Sequence, residues 1–323
     1  MREQKEQILS HKKKFYDINN IDISDKSVTF IVSSYNYEKF IEQTLNSIKN
    51  QTYKNFEIIV VDDFSTDNSV SIIQNYINNN PDLKISLIRH DKNYGQFKSI
   101  LTGLEKANGE FISFIDSDDI IYETYAETLL KLHTKTNAGF VSCKAKEIIS
   151  PEKNDLQTKN ILQKDFIREN SVEQDTLIKY KNIEQKPFGG WFWHPMTSTM
   201  FKKKSVEIIL NYKNTDDWKI CPDKFIFNLI NLIDGSITVD IELFGKRKHE
   251  NNAGNFNRTK LNIENNKKIR KLTLNFIKQN KYKFVEKYGK ILTFIYVAKI
   301  YLSYFYIPIQ ILKYVTKFFT LKI

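Results

Sequence analysis

Cysteine is nearly absent: Cys143 and Cys221 are the only two in 323 residues. That excludes a disulfide-framed fold and a cysteine-based zinc site, and it fits a reduced, cytosolic setting. Met1 to Asn20 lacks the apolar stretch of a secretory signal and is rich in Lys, Glu and Gln. A short helix or a partly ordered arm is expected there. A clean membrane span is also missing. Ile291 to Leu312 has the ~20-residue length a span needs, but Lys299 sits within it and Pro308 interrupts it. There are no internal repeats and no long low-complexity segment. Positive charge is abundant: 49 Lys and Arg stand against 38 Asp and Glu, a formal +11. Such a balance favours anionic surfaces, yet the basic residues form no known nucleic-acid motif, which argues against a nucleic-acid partner. The length leaves room for about two domains, or one domain with an extension.

The carboxylates are unevenly placed. Phe111 to Ile115 reads as a buried strand rich in β-formers, and it runs straight into Asp116-Ser117-Asp118-Asp119. Acids crowded beside an apolar core repel one another and resist desolvation. A hard divalent ion shared with substrate phosphates resolves that conflict; the plain alternative is a solvated turn, for which Asp and Ser are ordinary residues. A second strand, Phe56 to Val61, ends in Asp62-Asp63, and a third, Val28 to Val32, ends in Ser33-Ser34-Tyr35-Asn36. Between them apolar residues recur at helical spacing: Phe40, Ile41, Leu45 and Ile48, then Val70, Ile73 and Ile77, then Phe97, Ile100, Leu101 and Leu104. This alternation predicts a mostly parallel sheet covered on both faces. Ligands of such sheets bind outside the carboxyl ends of the strands, so the three polar strand ends are expected to converge on one pocket.

Four segments, in this order and spacing, resemble family 2 glycosyltransferases of the GT-A fold. They are Val28–Asn36 (VTFIVSSYN), Thr44–Tyr53 (TLNSIKNQTY), Glu57–Ser69 (EIIVVDDFSTDNS) and Ala107–Asp119 (ANGEFISFIDSDD), and the likeness covers about residues 28–135. The resemblance implies a Rossmann-like α/β sheet flanked by helices. It also implies an inverting transferase that takes a nucleotide-diphosphate sugar, a UDP-sugar as the expected donor, with Mg2+ or Mn2+ as cofactor. Carried onto this chain, Ser33 and Tyr35 border the base and ribose, Asp63 bonds the base edge, and Asp116 and Asp118 form the metal-binding D-x-D, Asp118 being the direct ligand. The chemistry agrees. A uracil edge offers an N–H that a carboxylate accepts, an aromatic ring stacks on a base, and a metal stabilises charge on a diphosphate leaving group. Asp67 or Thr66 is read as the cap of a helix starting at Asn68.

Beyond Ser150 the chain turns polar, and Lys144 to Gln185 is expected to form loops and short elements at the pocket mouth. Gly189-Gly190-Trp191-Phe192-Trp193-His194 follows. Tryptophan faces bind sugar rings, so Trp191, Trp193 and His194 are candidates for the acceptor site, which the resemblance also places here; a core role under a loop is the alternative. Pro222 suits the first turn of a helix, and Phe225, Leu229, Leu232 and Ile233 continue it. The resemblance puts a general base at the opening of such a helix, which makes Asp223 the candidate. An inverting transfer needs a base to take the acceptor hydroxyl's proton. Asp216 and Asp217 compete for that role, and this chain has Pro-Asp where relatives often have two acids. Ile237 to Leu243 alternates as a strand and leads into a basic stretch from Gly245 to Gly254. By resemblance Arg247 and His249 close over the diphosphate, with His249 an additional metal ligand, while Lys246 and Lys248 read as a solvated loop.

The expected organisation is an N-terminal extension (1–27), a GT-A domain (28–255) with a nucleotide-sugar half (28–135) and an acceptor half (136–255), and a basic, apolar helical extension (256–323). Residues 291–323 combine Lys with Ile, Leu, Tyr and Phe, the composition of helices lying in a membrane interface. Peripheral membrane contact, a second subunit of a homo-oligomer, or the catalytic domain are the partners expected for them. The implied acceptor is a glycan or lipid-linked glycan, the implied setting bacterial surface polysaccharide assembly at the inner face of the cell membrane. The rival readings are a nucleotidyltransferase and a non-catalytic basic binding protein. The first normally carries a Gly-rich, basic loop where this chain has Ser33-Ser34-Tyr35-Asn36.

Overall fold

The computed structural model describes residues 14–149, 177–183, 195–218, 222–249 and 270–304. Trp191, Trp193, His194 and residues 305–323 lie outside the described residues.

Strand β1 (Lys14–Asp17) precedes the first βαβ units. These are β2 (Val28–Ser34), α1 (Ile41–Lys49), β3 (Phe56–Asp62), α2 (Ser69–Asn78), β4 (Ile85–Arg89), α3 (Gln96–Lys106) and β5 (Phe111–Asp116). β4, β3, β2 and β5 lie side by side, all parallel. The short β6 (Ile120–Ile121), α4 (Tyr125–Thr136), β7 (Phe140–Ile149), β8 (Leu177–Ile183), β9 (Thr199–Lys202), α5 (Lys203–Val206), α6 (Asp223–Asp234) and β10 (Ser236–Lys248) follow. β9 joins the halves, antiparallel to both β5 and β7, and the sheet continues through β10 and β8 to β1. A helix over 270–279, here α7, and α8 (Lys281–Tyr304) close the described chain.

β2, β3 and β5 are buried on both faces, as crossover helices require. Alternate residues feed two cores. Ile31 and Ile59 meet Phe97, Leu104, Phe225 and Phe276 from α3, α6 and α7. Phe30, Val32, Ile58 and Val60 meet Ile41, Leu45, Ile73 and Leu129 from α1, α2 and α4. α3 sits so close to β2 that a Cβ on Gly103 would stand 2.4 Å from Ile31 Cγ2. That contact sets how closely the second half of α3 lies on β2.

Several expectations shift. Residues 14–17 form a strand paired antiparallel with β8, not a helix or loose arm. The pairing comes from an open sheet edge far along the chain, which local composition does not reveal. β4 has no counterpart in the sequence reading, because its residues are half-exposed or exposed and show little hydrophobic contrast. β10 runs on to Lys248, so Lys246 and Lys248 are strand residues, not loop residues. Its ladder with β7 absorbs two register shifts, between Thr238 and Phe244.

Candidate active site

The polar ends of β2, β3 and β5 do converge. Ser33 lies opposite Asp116 and Ser34 opposite Asp62 in the ladders. The Ser117 hydroxyl donates to the Ser33 carbonyl, and the Asp63 N–H donates to the Ser34 carbonyl at 2.8 Å. Tyr35 stands exposed at the rim. Asp67 behaves as a cap: its Oδ1 accepts the Ser69 N–H at 2.9 Å and its Oδ2 the Glu38 N–H at 3.0 Å.

The segment 116–119 is bolted from several sides. On α1 the Thr44 hydroxyl lies 2.8 Å from the carbonyls of both Ser117 and Asp119. Gln51 grips the segment that follows, donating to the Tyr122 carbonyl at 2.7 Å and accepting the Ala126 N–H at 2.9 Å. The Thr44–Tyr53 segment therefore owes its place to this turn. Gln96, first residue of α3, donates to Asp116 Oδ1 at 2.9 Å, and the Asp116 N–H donates to Thr197 Oγ1 at 3.1 Å. From β10 the Arg247 N–H donates to Asp119 Oδ1 at 3.1 Å.

The Arg247 side chain is turned into the protein. It is 1% exposed, donates from Nε to the Asp118 carbonyl and from Nη2 to Gln43 Oε1, both at 2.8 Å, and lies over the Phe40 ring. Its strand position turns it inward, beneath the carboxylates. Two residues on, His249 Nε2 lies 2.9 Å from Asp118 Oδ2, its ring wedged against Phe40 and edge-on to Tyr37.

Electrostatics mark the pocket. Burial, then repulsion from Asp119, Asp118 and Asp223, pushes Asp116 well above the usual carboxylate range. Burial, then Asp118, raises Asp119 to about 7. Burial also raises Asp223, the first residue of α6. The repulsion on Asp116 brings Asp223 into the same field. Asp217 looks elsewhere: it accepts the Tyr212 hydroxyl at 2.7 Å, and that ring packs on Phe97, Phe225 and Phe276. Lys246 opposes the rise at Asp116, Asp119 and Asp223 alike. Burial, then Asp118, Asp116 and Asp119, pushes the Tyr37 hydroxyl up. Tyr37, Gln96, Thr197 and Lys246 have no site role in the sequence reading, which takes Lys246 only as part of a solvated loop. Three of them are neutral side chains without a motif of their own, and Lys246 was obscured by the assumption of a loop.

No group of three or more His, Cys, Asp or Glu side chains forms a metal cage among the described residues. Asp118 and His249 nevertheless offer an oxygen and a nitrogen donor side by side, with Asp116 adjacent. Two or three protein donors and open positions for phosphate oxygens suit Mg2+ or Mn2+.

The raised carboxyls predict a pH effect. Asp119 holds its proton more tightly folded (about 7) than at its ordinary 3.8. Its contribution to stability is thus full below that ordinary value and is lost as pH rises through about 7. The metal-free protein is expected to melt at falling temperature across that window, and Asp119→Asn to flatten the fall. An unchanged slope in the variant counts against the assignment.

The sheet, its switch in strand direction and the acidic carboxyl ends define a GT-A architecture. The chain belongs to glycosyl transferase family 2, whose profile matches residues 29–221. A Campylobacter jejuni protein named GalNAc(5)-diNAcBac-PP-undecaprenol β-1,3-glucosyltransferase is 31% identical over 180 residues, 56% of this chain and 53% of that one. Glycosyltransferase GlyA of Streptococcus pneumoniae is 42% identical over 107 residues, 33% of this chain and 15% of that one. This chain thus spans about half the length of the first relative and much less of the second. Among solved structures, S. aureus TarS in complex with UDP superposes with a TM-score of 0.56 at 17% identity, covering 87% of this chain and 72% of that one. Mannosyltransferase PcManGT of Pyrobaculum calidifontis, in complex with GDP-Man and Mn2+, gives 0.53 at 18% identity, covering 93% and 79%. These similarities establish the shared fold.

Proposed function

We propose that this chain transfers a sugar, with inversion, from a nucleotide-diphosphate sugar to a hydroxyl of a glycan or lipid-linked glycan in bacterial surface polysaccharide assembly. The observation that carries this is the meeting of the Asp118–His249 pair with Asp223 in one field of raised carboxyls. Tyr35 stacks on the base, Ser33 borders the ribose and Asp63 accepts a ring N–H. Asp118 and His249, with Asp116 beside them, would hold Mg2+ or Mn2+, which when bound would neutralise charge on the diphosphate. Asp223, made more basic by burial, takes the proton of the acceptor hydroxyl as its oxygen attacks the anomeric carbon and the bond to the diphosphate breaks. Lys246 offsets part of the rise in the surrounding carboxyls. UDP is the preferred nucleotide, and the TarS–UDP and PcManGT–GDP-Man complexes support uracil and guanine as the two bases to try first. Incubation with UDP- and GDP-sugars, with and without Mn2+, tests the reading through release of UDP or GDP. No release from any donor in the presence of glycan acceptors would sink it.

The extension has two parts. Leu274, Phe276, Ile277 and Phe284 are buried in the catalytic core. Past a break at Gly289 (φ 78°), Ile291, Leu292 and Phe294 are exposed, 43–61% each. No helix among the described residues is long and apolar enough to cross a membrane. Surface attachment fits an exposed apolar face followed by Lys299, Lys313, Lys317 and Lys322, each lysine contributing roughly 1 kcal/mol at an anionic surface. The full chain is expected to co-sediment with anionic vesicles, less so at high salt, and a chain ending at Lys290 to lose this. Binding that survives the truncation places the contact elsewhere.

A further inference from the structure

His90, just past β4, has no part in the reading above, yet it is locked into the site. Its Nδ1 lies 2.7 Å from Asp63 Oδ1, and its Nε2 lies 3.0 Å from Thr102 Oγ1 on α3. A carboxylate only accepts, so Nδ1 carries the hydrogen. In the neutral ring the Thr102 hydroxyl then donates to Nε2. The His90 N–H is itself bonded to the Asp62 carbonyl at 2.9 Å. Asp63, 3% exposed, takes two further bonds: Tyr94 N–H to Oδ1 at 2.8 Å and Gly95 N–H to Oδ2 at 2.7 Å. Gly95 adopts φ 89°, a conformation open to glycine without strain. The next residue is Gln96, the donor to Asp116 Oδ1. Residues 90–96 thus form a strap from Asp63 at one strand end to Asp116 at another.

The geometry points to His90 as the positioning residue of the donor site. It holds Asp63 as a fixed acceptor toward the nucleobase and, through the strap, sets Gln96 against Asp116. An ionised carboxylate offers about four acceptor positions; three protein donors fill three, and a ring N–H of uracil or guanine takes the remaining one. His90 touches no reacting atom. This inference rests on the nucleotide-sugar reading and deepens it.

Asparagine and glutamine divide the imidazole between them. An Asn Nδ2 reaches the place of Nδ1 and can still donate to Asp63; a Gln Nε2 reaches the place of Nε2 and cannot. His90→Asn is expected to bind UDP or GDP, with Mn2+ present, within about twofold of the unaltered protein, and His90→Gln about tenfold more weakly, the lower end of what loss of a hydrogen bond to a charged group costs. Calorimetric titration reads both, with melting curves alongside. For His90→Gln the loss is expected in KM for the donor sugar, with kcat nearly kept. Equal affinities in the two variants overturn the inference. If His90→Gln does not fold, Thr102→Val decides: it severs only the outer bond and must keep nucleotide affinity, so a loss there also overturns it. Unaltered protein that binds neither UDP nor GDP overturns the nucleotide-sugar reading itself.

Discussion

Asp118→Ala is expected to abolish the divalent-dependent part of nucleotide binding and to leave the fold intact. The two halves of this result have separate causes. The fold draws on the Asp118 backbone, whose carbonyl accepts the Arg247 Nε–H at 2.8 Å, and alanine retains that carbonyl. The carboxylate instead adds to the repulsion on Asp116 and Asp119, so its removal relieves strain in the metal-free protein. What disappears is one of two donors that stand 2.9 Å apart. Losing an outer partner of a metal site typically costs ~10–100-fold in affinity, and losing a direct ligand should cost at least the upper end of that range. Titration of UDP with and without Mn2+ checks it. Equal nucleotide affinity in both proteins under both conditions removes Asp118 from the metal site. A lowered melting temperature without any change in binding makes it structural.

Much of the site was legible because strand chemistry is local. A run such as Phe111 to Ile115 buries on both faces, and whatever follows must leave the sheet at its carboxyl end; three such ends therefore met in space. The opening of α6 at Asp223 was equally readable, since Pro222 and the spacing of Phe225, Leu229, Leu232 and Ile233 are enough to start an amphipathic helix. The missing parts depend on pairing between distant segments. Lys246 faces the carboxylates because β10 holds its ladder with β7 through two register shifts, and a shift of one residue exchanges the faces of a strand. Arg247 was turned the other way by the same ladder. His90 and Gln96 act through hydrogen bonds to residues 27 and 20 positions away, for which a sequence holds no local periodicity. The pairing of β1 with β8 is longer in range still.

Asp223→Asn gives the sharpest test of the chemistry. The substitution is nearly isosteric, but an amide cannot accept the acceptor hydroxyl's proton. Loss of a general base lowers turnover by roughly 10²-fold or more, and that is the expected fall in kcat, with nucleotide affinity little changed. Unfolding does not account for such a fall. Burial raises the Asp223 carboxyl, which means that the folded state disfavours its charge, and a neutral amide removes that penalty together with the repulsion felt by Asp116. The variant is therefore expected to melt no lower than the unaltered protein at neutral pH. The pH profile supplies the second readout. A base must be ionised to act, so the acid limb of kcat/KM should lie above the ordinary carboxylate range and should vanish in Asp223→Asn. Asp217→Asn is the control, because its carboxylate is occupied by the Tyr212 hydroxyl at 2.7 Å; it should keep near-normal turnover. If the two variants exchange behaviour, the base sits in the preceding short segment Thr215–Trp218 and α6 only borders the site.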